Sequence, residues 1–141
     1  MRYTLICLLI LSACHMKKDT AKSSNMDITH LQNIWALVLI NGKAYDEHTS
    51  NRTPLLEIHI EDLKILGNDG CNSVFGDIEV LTQKDLKFGP MAGTKMICPN
   101  MDISQAFANG LEKTRGYALH ESALILLDDK DKELLQFKKL D

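Results

Sequence analysis

Apolar and polar positions alternate in short runs along most of the chain, and the period lengthens to that of a helix once. Leu31 to Ile40 (LQNIWALVLI) is apolar on both alternate faces and rich in β-branched and aromatic residues, which predicts a buried strand. Asn41-Gly42 behind it is a strong turn dipeptide, and Lys43 to Pro54 reads as a polar loop with edge character. Leu56, Ile58 and Ile60 alternate with Glu57, His59 and Glu61, the pattern of a strand with one wet face. Glu61-Asp62 turns the chain and Leu63 to Leu66 returns it. Gly67 to Gly76 (GNDGCNSVFG) reads as a glycine-rich turn. Ile78 and Val80 alternate with Asp77 and Glu79, Leu86 and Phe88 follow, and Gly89-Pro90 ends that hairpin.

The period changes at Asn100 to Arg115. Ile103, Phe107 and Leu111 fall on one helical face with Ala106 beside them. Asp102 and Gln105 have the spacing of a capping box, and Gly110 would allow close approach to a sheet. Tyr117 to Leu119, Ala123 to Leu127 and Leu134 to Phe137 close the chain as short strands. About eight short strands and one helix predict a mainly β fold, a small antiparallel barrel or curled sheet with the helix packed on it.

The start of the chain breaks this pattern. Met1-Arg2 precedes an uncharged apolar run, Leu5 to Leu11, much shorter than the roughly 20 residues of a spanning helix. Small residues follow it, the arrangement of a signal peptide. Leu11-Ser12-Ala13-Cys14 (LSAC) resembles the lipobox of bacterial lipoproteins, in which the cysteine thiol carries a diacylglycerol and the peptide is cut just before it. Residues 1–13 are then a lipoprotein signal peptide, 14–26 a lipidated tether, and 27–141 the folded domain. His15 to Asn25 is polar without apolar period, as a flexible tether should be. Two or more acyl chains on Cys14 give stable membrane anchoring. The residue after Cys14 is His rather than the Asp that marks inner-membrane retention in enteric bacteria, which points to the outer membrane of a bacterial envelope.

Composition narrows the chemistry. The chain has 141 residues, 45% hydrophobic and 25% charged, with a formal net charge of −3. That is an ordinary single globular domain, without the basic footprint of a nucleic-acid binder. The histidines lack metal-ligand spacing and no C-x-x-C occurs, so neither a metal nor another cofactor is expected. Asp129, Asp131 and Glu133 superficially match the start of a calcium loop, but the glycine at its sixth position and the glutamate at its twelfth are missing. A hairpin turn suits them better. No phosphate loop or G-x-S-x-G elbow is present. The sequence therefore predicts no catalytic residue and no enzyme.

Four cysteines remain to be placed. Cys7 is discarded with the signal peptide and Cys14 is consumed by lipid. Cys71 and Cys98 are left, and an oxidising compartment favours their pairing in a disulfide. The competing reading keeps a reactive thiol, with Lys95 near Cys98 as its basic neighbour.

The motifs "GNDGCNSVFG" (67–76) and "LKFGPMAGTKMICPN" (86–100), followed by the helix and "ALILLDDKDKELLQF" (123–137), resemble the META domain of HslJ-type heat-shock lipoproteins. The matching positions are Gly70, Cys71, Asn72, Gly76, Thr94, Lys95, Met96, Cys98 and Pro99, and Trp35 matches the family's opening strand. The resemblance covers residues 31 to 137. One departure lies early in the helix, where Ser104-Gln105 stands in place of a frequent glutamate. The resemblance implies a compact β-rich envelope domain, linked in some bacteria to heat and antibiotic tolerance and to no established reaction. Within it, Gly67 and Gly70 would permit positive φ in a turn, and Asn72, Thr94 and Lys95 would form the motif's polar surface. The partners implied are a membrane, through the lipid on Cys14, and an envelope protein or small ligand. Nucleic acid is not among them. A non-enzymatic binding or structural module follows, with a thiol enzyme using Cys71 or Cys98 and a small-ligand barrel as rivals.

Overall fold

The structure is a computed structural model and describes residues 27–50 and 52–140. The expected signal peptide, Cys14 and the expected tether lie outside the described residues. Ten strands and one α-helix follow in the order β1 (Ile34–Ile40), β2 (Lys43–Ala44), β3 (Leu55–His59), β4 (Lys64–Asn68), β5 (Ser73–Leu81), β6 (Leu86–Phe88), β7 (Ala92–Gly93), α1 (Asp102–Lys113), β8 (Gly116–Leu119), β9 (Ala123–Leu127) and β10 (Glu133–Lys139). Eight of these strands run β6-β5-β4-β3-β1-β10-β9-β8, with every pair antiparallel. The two ends of that sheet meet. Asp85 bridges Gly116, Leu86 N–H donates to the Arg115 carbonyl at 3.2 Å, and Tyr117 N–H donates to the Lys84 carbonyl at 3.0 Å. The sheet is thereby a nearly closed eight-stranded barrel, and closure removes most of the unpaired edge that an open sheet would leave.

The predicted alternation appears as the two faces of this wall. In β3, Leu56 and Ile58 point inward while Leu55, Glu57 and His59 do not. Leu124, Leu126, Leu135 and Phe137 fill the interior from β9 and β10, with Trp35 and Leu37 from β1 and Leu86 and Phe88 from β6. The helix packs against β1, β6, β9 and β10. Phe107 and Leu111 are its buried anchors, and the Phe107 ring meets Phe137 edge-on at a centroid distance of 6.1 Å. At Gly110 a β-carbon would lie 2.6 Å from Leu135 Cγ, so only glycine lets the helix sit this close to β10.

Several boundaries differ from the sequence reading. Ile28–Leu31 forms a single 3-10 turn, and β1 begins only at Ile34. The Trp35 indole N–H donates to the Leu31 carbonyl at 2.9 Å, which ties that turn to the strand. The polar loop before Pro54 contains β2 and a 3-10 turn at Glu47–Thr49. Leu63 stands at φ 50° in the turn before β4. No capping box forms on α1. Asp102 is already helical, and Asn100 Oδ1 accepts its N–H at 3.0 Å. The acids after β9 make the hairpin turn: Asp128 Oδ1 accepts the N–H groups of Lys130 and Lys132, each at 2.9 Å. Those two bonds hold its carboxyl below the usual carboxylate range.

Candidate functional site

The glycine-rich segment is mostly strand, with a tight turn over 69–72 between β4 and β5. Gly67 is not the positive-φ residue expected of it. It lies within β4, where a β-carbon would come 2.2 Å from the Leu55 carbonyl oxygen. Gly70 does need the left-handed region, at φ 93°. Two side chains then satisfy the bend, in the manner of Asx turns. Asn68 Oδ1 accepts the N–H of Gly70 at 3.0 Å. Asp69 Oδ1 accepts from Cys71 N at 2.8 Å and Asn72 N at 2.5 Å. Asp69 is buried, and Ser104 from the first turn of α1 donates to its carbonyl and to its carboxylate, both at 3.2 Å. The position that departs from the family pattern therefore anchors the helix to the turn.

Asn72, expected on the surface, is buried at 7% exposure. Its Oδ1 accepts the Thr94 hydroxyl at 3.0 Å and the Met96 N–H at 2.6 Å. A side-chain carbonyl held between two donors is drawn inward because burial without them would cost about 1–3 kcal/mol. Thr94 and Lys95 are exposed. Thr94 also closes on β5, with its N–H donating to the Ser73 carbonyl and its hydroxyl accepting from Ser73 N, both at 3.1 Å.

Cys71 and Cys98 are bonded, with Cα atoms 6.0 Å apart, inside the range that a disulfide spans. Cys71 is 3% exposed. Its sulfur contacts the Met96 carbonyl at 3.6 Å, and Arg52 Nη2 approaches the Cys71 carbonyl at 3.4 Å. The family motif thus folds onto itself. Cysteine, asparagine and threonine lash residues 94–98 to the β4–β5 turn, and Lys95 alone of the expected polar members points to solvent without a partner in this network. Asp69, Ser104 and Arg52 escaped the sequence reading. For Asp69, the signal present was an Asn-Asp pair before a glycine, the usual source of side-chain-closed turns.

The interior of the barrel is occupied by its own side chains. Outside it, a shallow groove of about 310 Å³ lies over β4 and β5, lined by Leu66, Phe75, Pro90 and Ala92 with Lys64 and Asp77 at one end. Those two form an exposed ion pair at 3.0 Å. Among the described residues no three His, Cys, Asp or Glu side chains cluster as a metal site, and no described helix is long and apolar enough to cross a membrane.

These features define a class: a small, nearly closed antiparallel barrel, plugged by one helix and locked by a disulfide beside its glycine turn. The chain belongs to the META domain family, which it matches over residues 27–141. Three solved structures share the fold. An NMR structure is 23% identical over 81% of this chain and 95% of its own, with a TM-score of 0.61. An NMR structure of a protein from Burkholderia xenovorans is 20% identical over 81% and 88%, with a TM-score of 0.63. A crystal structure of a DUF4847 family protein from Bacteroides vulgatus is 14% identical over 79% and 96%, with a TM-score of 0.56. No curated protein matches the chain.

Proposed function

We propose that this chain is a bacterial envelope lipoprotein, anchored through lipid on Cys14, whose META domain acts as a non-enzymatic binding or structural module in envelope stress tolerance. The observation that carries the reading is the Cys71–Cys98 bridge. It takes both thiols that could have served as nucleophiles, and a bridge of this kind persists in an oxidising compartment such as the envelope. The LSAC sequence supports the anchor, and the outer membrane is the favoured leaflet pair because His15 follows the cysteine. The buried polar residues of the motif support the module reading, since Asn72 and Asp69 are spent on backbone donors rather than on a substrate. Mass spectrometry of the membrane fraction tests both parts together. The expected N-terminal peptide begins at a diacylated Cys14, and the non-reduced protein carries no alkylatable thiol. A soluble protein with unmodified Cys14 would remove the anchor, and two alkylated thiols in native protein would revive the redox enzyme.

A further inference from the structure

One margin of the sheet is left open. β7 pairs with the first half of β5, Val74 with Gly93 and Phe75 with Ala92, while β6 joins β5 only from Ile78 onward. Residues 94–97 follow β7 outside any strand. The N–H of Thr94 turns back to the Ser73 carbonyl at 3.1 Å, and that of Met96 turns back to Asn72 at 2.6 Å. The N–H groups of Thr94 and Met96, two residues apart, thus both face the barrel, and in an extended backbone the N–H of Lys95 between them faces the other way. No hydrogen bond joins the backbone of Lys95 or Ile97 to another described residue.

This margin is poorly guarded. Sheet edges are usually blunted by charge, proline or bulges. Here Lys95 is the one charge, and Pro90 and Pro99 flank the segment without interrupting it. Ile97 is 96% exposed and Met96 50%, and Phe75 on the adjoining strand is 49%. The segment is also held in advance of any encounter, by Asn72 at Met96 and by the disulfide at Cys98. A partner would not have to order it, which removes a usual cost of binding to a loop.

We infer that the edge 92–97 is a strand-addition site for an extended segment of a partner protein, with alternating apolar residues and an acidic residue opposite Lys95. This rests on the binding-module reading and names the kind of partner. Outward N–H and C=O groups in strand alternation are complementary to another extended backbone. A second copy of this chain is disfavoured as that backbone. Full antiparallel overlap of two such edges about a two-fold axis sets Lys95 against its own counterpart, and like charges directly opposite destabilise a strand pair.

The test uses the full chain in detergent micelles and a fluorescein-labelled peptide of alternating threonine and valine with one central glutamate. Fluorescence anisotropy should show saturable binding below about 1 mM, the weak end of specific recognition. Lys95→Pro removes an outward N–H and no internal bond, so it should leave the melting temperature unchanged and weaken binding at least about tenfold. Lys95→Glu should weaken the glutamate peptide about twofold to fivefold and favour a lysine-centred version by a similar factor. No saturable binding by the native chain at about 1 mM overturns the proposal. So does undiminished binding by the proline variant, which would leave a binding module with its site elsewhere. Self-association of the native chain that Lys95→Pro abolishes would assign the edge to a second copy instead. The thiol count described above reads the module question separately.

Discussion

The side-chain carbonyl of Asn72 receives the backbone N–H of Met96 at 2.6 Å, across 24 positions of sequence. Together with the Thr94 hydroxyl on the same oxygen, this bond fixes the 94–97 segment against the barrel. Asn72→Ala leaves both donors without their acceptor. We expect a loss of about 1–3 kcal/mol in urea unfolding. Amide exchange at Met96 should accelerate while that of β9 and β10 keeps its order relative to global unfolding.

The disulfide adds a second tie at the same place. It closes a loop of sequence separation 27, which by chain entropy stabilises the fold by roughly 3–4 kcal/mol. The Cys71→Ala, Cys98→Ala double variant should lose about that much in denaturant unfolding. A loss near zero would contradict the loop-closure account of the bridge.

Phe107 joins the helix to the barrel through its edge-on contact with Phe137 and is 0% exposed. Phe107→Ala should cost about 3–5 kcal/mol, as other buried aromatics do. Thermal or urea unfolding measures it, and a loss under about 1 kcal/mol would contradict the packing described.

Gly110 gives a prediction of unusual sign. In an exposed helix, alanine would gain about 1 kcal/mol over glycine. Here the new methyl would stand 2.6 Å from Cγ of Leu135, which is itself 0% exposed and has nowhere to retreat. Gly110→Ala should therefore destabilise, by about 1–3 kcal/mol. Far-ultraviolet circular dichroism through a urea titration checks it.

Tyr117 predicts an alkaline limit. Burial, and secondarily the charge of Asp85, raise its phenol above the ordinary 10.0, and its hydroxyl donates to the Thr82 carbonyl at 2.8 Å. The unfolded chain thus releases this proton at lower pH than the folded one. The contribution is whole below about pH 10 and is lost as pH rises through the folded value. Urea midpoints measured from about pH 8 to 11 should fall at the upper end, and Tyr117→Phe should flatten that fall while costing about 1 kcal/mol at neutral pH.

The sequence by itself determined the parts whose cause is local. Leu56 and Ile58 alternate with polar neighbours because each strand has one wet face. Phe107 and Leu111 sit four apart because one helical stripe meets the core. The count of cysteines pointed to Cys71 and Cys98 before any distance was known. What only the tertiary structure decided depends on groups distant in sequence. Gly67 is required by the Leu55 carbonyl across a strand pair, not by a turn of its own. Asn72 is drawn inside by donors from Thr94 and Met96, although asparagine in a glycine-rich stretch reads as surface. Ser104 gains its role from Asp69, 35 positions away. β7 has only two residues and no periodic signal, so its place beside β5, and the open edge that follows from it, exists only once the barrel has brought the two together. Hydrophobic period records which face of an element is buried, whereas the identity of a hydrogen-bond partner is fixed by the path of the folded chain.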